Sequence, residues 1–550
     1  MNMWKKLTFG AVSIVAAVAL TGCGANNANT SKELNVPIAT DVATLDPSLA
    51  TDSYSGELIG NTQAGLTRVN AEGKVVNELA KSIDVSSDGL TYTIELKDNL
   101  KWSNGDAITA ENFVYSWQRA VDPKTASQYA YIMDAVKNAT QINAGEMSVD
   151  ELGIKAEGDN KLVVTLDKPT PYFDQLLSFD VYMPQDKKVV DEYGKAYGTT
   201  SDKMVYSGAY MFKKENGWNG TNKTFTIYKN PNYWDKDNVK TEAVNFQVIS
   251  DPNTMAQLYK QGKLDLTTLG SADLYNANKS NAAYTAFKEA TSAYMEYNQS
   301  GKGASSAIAQ KALENQKIRE AINLATNRAG LVEQISPAST PATSLTPANT
   351  AKTESGEDFA DFAKQPYTFD AKKAEGLFKE GLKEIGETSL TLELETDSDS
   401  PLGKQSADFL QQNLQQALPG LTITEKLVPF QQRLKDSQTG NFDMVISLWG
   451  GDYGEPSTFL QLFTTGNSYN NGKFSNADYD KAYKNATTSD VMNATKRFDD
   501  YKEAESALYA QSNINPLYFR TTPALVNKDV IDFHYSATGL NRDYKEVYKK

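Results

Sequence analysis

The chain has 550 residues, 40% of them apolar, with one cysteine, one histidine and a formal net charge of −14. It is long enough to bury a substantial core without disulfides and, on length alone, to form about three domains, while its acidity argues against a nucleic-acid partner and against electrostatic attachment to anionic lipid. One His and one Cys leave no His/Cys zinc set, a Ser-His-Asp hydrolase would have to use His534, and neither a Gly-x-Ser-x-Gly turn nor a glycine loop for phosphate or dinucleotide occurs, so no metal or cofactor is expected.

Lys5 and Lys6, then the mostly apolar run Leu7 to Leu20, read as a secretory signal peptide over residues 1–22. The run is too short for a membrane span, which needs roughly 20 apolar residues. Leu20-Thr21-Gly22-Cys23 resembles the lipobox of bacterial lipoproteins. That resemblance implies that Cys23 is acylated, becomes the first mature residue and anchors the protein to the cell membrane, facing outwards. The alternative is an ordinary signal peptide with a cysteine beside the cut. Residues 24–31 are small and polar, and 23–34 fits a flexible tether.

Beyond the tether, strand-period and helix-period segments alternate. Leu90, Tyr92, Ile94 and Leu96 predict a half-buried strand, as do Leu162, Val164 and Leu166, then Val244, Phe246 and Val248, then Leu390, Leu392 and Leu394. Thr109 is a plausible N-cap for a helix burying Phe113, Val114, Trp117, Ala120 and Val121. Ile318, Ala321, Ile322 and Ala325 mark a second helix, and Leu410, Leu414, Ala417 and Leu418 a third, stopped by Pro419-Gly420. The class is mixed α/β with more than one lobe. Residues 336–357, rich in Ser, Thr, Pro and Ala, read as an exposed loop within a lobe in preference to an interdomain linker.

Phe442 to Trp449 is nearly continuous apolar sequence, as in a strand covered on both faces. It runs into Gly450-Gly451-Asp452-Tyr453-Gly454-Glu455-Pro456. Open α/β sheets bind ligands beyond the carboxyl ends of their strands. Glycines there would let backbone approach a ligand, with Asp452 at the mouth. The competing reading is a turn whose acids cap a following helix near Ser457 to Phe463. The 29 tyrosines and six tryptophans suit pockets that accept varied apolar groups, though any single ring is more often packing.

Several motifs carry a family resemblance. Leu45-Asp46-Pro47, Ser87-Asp88-Gly89-Leu90-Thr91-Tyr92 and Lys101-Trp102-Ser103-Asn104-Gly105-Asp106 are followed by Asn112 to Arg119, Val121 to Ser127, Ser207-Gly208-Ala209-Tyr210, Asn230-Pro231-Asn232-Tyr233-Trp234 and the Gly450 to Pro456 turn. In this order they resemble the peptide-binding proteins of bacterial ABC importers, solute-binding protein family 5, over nearly the whole mature chain. The resemblance implies a two-lobed periplasmic-binding-protein-like α/β fold (type II, cluster C). Its first lobe would be 35–64, 188–291 and 521–550, with 65–187 as an added subdomain, and its second lobe 292–520. It implies a non-enzymatic, monomeric protein of Gram-positive origin whose partners are short peptides and the importer's permease subunits.

By the same resemblance Asp452 receives the peptide's N-terminal ammonium beside Gly451. Trp449, Tyr129 and Phe430 line side-chain pockets, and Thr51, Asp52 and Ser53 pair with the peptide backbone. Two arginines that meet a short peptide's C-terminus in some relatives correspond to Ser437 and Ile446. That departure leaves Arg520, or another cation, to receive the carboxylate, with a structural ion pair as the competing role for Arg520. A same-fold protein for another solute (a signalling peptide, an oligosaccharide or a nickel chelate) is the alternative within the binding class. A carboxylate-pair glycosidase and a surface adhesin or chaperone are the alternatives outside it.

Overall fold

A computed structural model describes residues 33–70, 73–540 and 542–550. Residues 1–22, read above as a signal peptide, and Cys23 lie outside the described residues. Three larger sheets organise the rest.

The first has the order Glu33–Ile38, Ala243–Val248, Thr224–Lys229, Tyr210–Phe212, with the first pair parallel. The second is antiparallel, in the order Ala80–Val85, Thr91–Leu96, Lys161–Thr165, Ile154–Ala156. Its central strand buries Tyr92, Ile94 and Leu96, as the alternation required. The helix Ala110–Val121 turns Phe113, Trp117, Ala120 and Val121 into the same core and leaves Val114 at the edge. Thr109 is its N-cap residue, and the Thr109 N–H donates to Asn112 Oδ1 at 2.9 Å, satisfying a donor the helix cannot use.

The third sheet has seven strands. Its order is Leu266–Thr268, Ile514–Val526, Tyr284–Tyr297, Met444–Gly450, Leu390–Asp397, Leu421–Val428, with Thr340–Pro341 beside Ile514–Val526. Met444–Gly450 lies between a parallel and an antiparallel neighbour. Such a strand needs apolar residues on both faces, and Met444, Val445 and Ile446 are at most 3% exposed. Helices Gln316–Ala325 and Pro401–Ala417 cover one face through Ile318, Ile322, Leu410 and Leu414.

Two strands carry the chain between the first core and the second. Tyr284–Tyr297 has 14 residues and Ile514–Val526 has 13. They pair antiparallel, but the register shifts between Lys288 and Ser292, so residues 289–291 have no partner on the other long strand.

The segment 336–357 differs from its expectation. Ala342, Ser344, Leu345, Thr346 and Thr350 are buried, so this is a packed loop and not an exposed one. The reason is Glu505, a buried carboxylate on helix Ala494–Ala510 that accepts from the N–H groups of Leu345 at 2.9 Å and Thr346 at 2.7 Å. With those donors satisfied, small side chains can be buried without a regular ladder. Among the described residues no helix is long and apolar enough to cross a membrane.

Candidate ligand-binding cavity

Strand Met444–Gly450 leaves its core at Trp449, which is half-buried, and the backbone then turns sharply. A Cβ on Gly451 would stand 3.2 Å from both Phe459 Cε2 and Thr538 Cγ2, so the missing side chain at this position admits close protein packing. The Gly451 N–H donates to the Ala290 carbonyl at 2.7 Å, tying the turn to the crossing strand.

Asp452 follows. Its N–H donates to Thr458 Oγ1 at 3.0 Å, while among the described residues its carboxylate meets only two hydroxyls, Thr458 and Tyr129, each at 3.4 Å. Glu455 is committed to a buried ion pair with Arg497 at 2.7 Å. Neither acid caps helix Ser457–Leu460, so the capping reading of this turn does not hold.

Asp452 opens onto a cavity of about 470 Å³ between the two cores, within the range of roughly 300–1,000 Å³ for ligand sites. Thr51, Asp52, Ser53 and Tyr129 reach it from one side; Phe430, Trp449, Gly451 and Asp452 reach it from the other, and Arg520 reaches it from a crossing strand. The lobes touch around it. Gly454 N–H donates to Gln175 Oε1 at 3.0 Å, Gln438 to Gln128 at 3.0 Å, and Tyr453 stacks on Tyr172 with centroids 4.9 Å apart. The Tyr129 ring lies within 13° of parallel to Trp449 at 6.3 Å, and Tyr469 stands edge-on to both.

The segment at Thr51 to Ser53 is partly helical. Ser53 opens the helix Ser53–Thr62, and Asp52 is its N-cap, accepting from Tyr54 N at 3.1 Å and Ser55 N at 2.9 Å. Ile446 is buried in the core and does not reach the cavity, whereas Ser437 does. Arg520 Nε lies 3.4 Å from Glu289 Oε2 and donates to Thr522 Oγ1 at 3.2 Å, so it joins the two crossing strands as well as lining the wall.

The electrostatics are one-sided. Arg433 is paired with Asp397, Arg520 with Glu289, Arg68 with Asp543 and Lys545 with Asp235. Among the described residues Asp452 and Asp180 have no ion-pair partner. Burial pushes the Asp452 carboxyl up to about 7, against a small opposing pull from the Thr458 and Tyr129 hydroxyls. Asp180 is pushed up to about 8, first by burial and then by the charges of Asp52 and Asp452. A wall that strains to ionise its acids is prepared for a cation.

Asp180, Arg433 and Tyr469 were not expected from sequence. Asp180 sits in a single 3-10 turn, Asp180–Tyr182, and Tyr469 in a loop, where no periodicity marks them. Arg433 could have been found: Phe430, Arg433, Leu434 and Ser437 recur at helical spacing on helix Phe430–Thr439, and all four reach the cavity.

Residues 74–471 match the family described as bacterial extracellular solute-binding proteins, family 5 Middle. The chain belongs to this family. It is 57% identical over 551 residues, the whole of both chains, to the dipeptide-binding protein of Lactococcus lactis subsp. cremoris. Among solved structures it resembles Listeria monocytogenes OppA bound to peptide, at 37% identity and a TM-score of 0.87 over 94% of this chain and 99% of that one. It also resembles the substrate-binding domain of an oligopeptide ABC transporter from Bacillus anthracis, at 33% identity and 0.88 over 94% and 99%. This solute-binding protein therefore has the two-lobed architecture of its relatives, with the cavity at the junction of the lobes.

Proposed function

We propose that this protein captures peptides outside the cell and delivers them to the membrane subunits of an ABC importer, holding the peptide's N-terminal ammonium at Asp452. The observation that carries this reading is a carboxylate with no cation partner among the described residues, raised by burial, on the wall of an inter-lobe cavity. A free α-ammonium supplies the missing charge through charge-assisted hydrogen bonds. Trp449, Tyr129 and Phe430 give apolar surface for varied side chains, and Thr51 to Ser53 offers backbone for pairing, so affinity would come without strict sequence reading. The names of the Lactococcus, Listeria and Bacillus relatives support the same class of ligand. The lobes, 35–64 with 188–291 and 521–550 against 292–520, would close about residues 289–291 and 520, with 65–187 carried by the first lobe. Small peptides found by mass spectrometry in gently unfolded protein test the function. Protein that carries none, and that no peptide from a diverse library stabilises, would refute it.

Titration gives a sharper test. Free Asp452 is neutral below about pH 7, yet an ammonium binds its ionised form, so binding must release a proton below that pH. Affinity for a free-amine peptide is expected to rise from pH 5 to pH 7 and level off, then fall as the peptide's own amine deprotonates near pH 8. An N-acetylated peptide should have no such rise. Calorimetric titrations at pH 5, 6, 7 and 8 measure this, and an affinity constant across pH 5–7 counts against an ammonium at Asp452.

The membrane attachment rests on the sequence around Cys23. Cys23→Ser is expected to abolish incorporation of labelled fatty acid, because only the thiol forms the thioether, and to release the protein into the medium. Undiminished label in the variant rules out the lipid anchor.

A further inference from the structure

Residues 289–291 have no partner on the other long strand, but Ala290 finds one elsewhere. Its N–H donates to the Ala537 carbonyl at 3.0 Å, while its own carbonyl accepts from Gly451. The Gly539 N–H in turn donates to the Gly451 carbonyl at 3.0 Å. Residues 537 and 539 therefore grip the Ala290–Gly451 bond from both ends, and both backbone polar groups of Gly451 are paired. Ala537 and Gly539 lie at the tip of a small antiparallel hairpin, whose strands are His534–Tyr535 and Arg542–Asp543. Within the tip, Ser536 Oγ donates to the Thr538 carbonyl at 2.6 Å.

The hairpin is moored at two further places. Tyr535 stacks on Phe287 of the crossing strand, with centroids 4.6 Å apart and planes within 11° of parallel. On the other side the arm meets helix Ser53–Thr62. A Cβ on Gly60 would stand 2.8 Å from Leu540 Cδ1, so the bare residue gives Leu540 its seat. Asn61, beside it, donates to the Arg542 carbonyl at 2.8 Å and accepts from the Tyr544 N–H at 3.0 Å. One short arm thus links that helix, the crossing strand and the turn that carries Asp452.

We propose that the hairpin tip, Ser536 to Leu540, is the positioning element of the ammonium site: by clamping Gly451 it sets the carboxylate of the next residue, Asp452, at a fixed place relative to helix Ser53–Thr62. The inference rests on the assignment of the peptide's ammonium to Asp452 and goes beyond it. Asp452 needs such support, because among the described residues only two hydroxyls at 3.4 Å restrain its carboxylate, and a binding group is only as precise as the shell behind it. Gly539 is the residue on which the clamp turns. Its φ is +64°, a conformation that strains most side chains. A Cβ there would stand 3.5 Å from the Asp452 carbonyl oxygen, so backbone conformation and not space restricts the position.

Gly539→Asn and Gly539→Val separate conformation from bulk, since asparagine enters the left-handed region far more readily than a β-branched residue. The probes are leucine-alanine peptides of two to five residues, each with a free and with an N-acetylated amine, titrated by calorimetry into the protein at pH 7. For the best-bound length, the ratio of the two affinities reports the ammonium contact, and the acetylated peptide alone reports the rest of the cavity. Gly539→Val is expected to lower the ratio about tenfold, through the free-amine peptide, while the acetylated peptide changes little. Gly539→Asn should stay within about threefold of wild type. Leu540→Ala loosens the seat on Gly60, leaves the backbone of the tip intact and should lower the ratio about threefold. It decides by the same ratio if Gly539→Val does not fold. A ratio unchanged in Gly539→Val and Leu540→Ala, a parallel loss for both peptides, or an equal loss in the Asn and Val variants overturns the proposal. Wild type that binds both forms alike removes the Asp452 assignment and this inference with it, while leaving peptide capture intact. No binding by any probe removes all three.

Discussion

Asp452→Ala is expected to weaken binding of a free-amine peptide by about 30-fold or more. Removing one partner of a buried, hydrogen-bonded charge pair costs about 2–5 kcal/mol, and among the described residues Asp452 has only the Tyr129 and Thr458 hydroxyls, at 3.4 Å, to share a ligand's charge with. N-acetylated peptide, which brings no ammonium, should bind wild type and variant with nearly the same low affinity. The free protein should respond in the opposite sense. Because burial raises the Asp452 carboxyl to about 7, the folded state holds a proton there that the unfolded chain releases above about pH 4. Stability is therefore lost through this group as pH rises from about 4 to 7. Asp452→Asn, which cannot ionise, should then melt higher than wild type at pH 8 and near it at pH 4. Calorimetric titration and thermal melts measure the two halves. Equal affinity of wild type for free and acetylated peptides would show that the amine is not read.

The second large effect is on folding. Arg497→Met should destabilise the protein by about 3–5 kcal/mol, since it strands Glu455 in a buried site. The pair is 2.7 Å apart, with side chains 11% and 8% exposed, and Arg497 also donates to the Val491 carbonyl. Replacing both, as Arg497→Met/Glu455→Leu, should recover most of the loss, because the cost lies in the unpaired charge more than in the missing attraction. Glu455 is three residues from Asp452, so the single variant should also lose peptide affinity under conditions where it remains folded. Chemical denaturation of the three proteins measures the first effect, and a single variant as stable as wild type contradicts it.

Much of the fold was legible because its signals are local. The alternation at Leu90 to Leu96 and the apolar run into Trp449 each report the burial of one strand. The segment 336–357 was misread for the complementary reason: its burial depends on Glu505, some 160 residues further along the chain. Composition marks such a stretch as a loop and says nothing about what covers it. The cavity follows the same division. The turn at Asp452 was visible as the end of a buried strand followed by glycines. Gly451 lines the cavity as expected of that turn, and the packing of Phe459 and Thr538 around it leaves no room for a side chain there. Asp180 and Tyr469 come from irregular segments and meet Asp452 only because the long strands bring distant parts of the chain together.

The break in pairing at residues 289–291 has a practical consequence for mutagenesis. Glu289 and Thr291 belong to the cavity wall, and they also occupy the stretch where the two crossing strands have lost their mutual ladder. Glu289 there accepts from Thr522 and pairs with Arg520, so one carboxylate braces both crossings. A substitution at Glu289 therefore alters the surface offered to a ligand and the stiffness of the joint in a single step. Its effect on affinity cannot be divided between the two by equilibrium measurements on that variant alone. Ser437 lies on the separate helix Phe430–Thr439, away from the brace, and at that position a change in affinity can be assigned to contact.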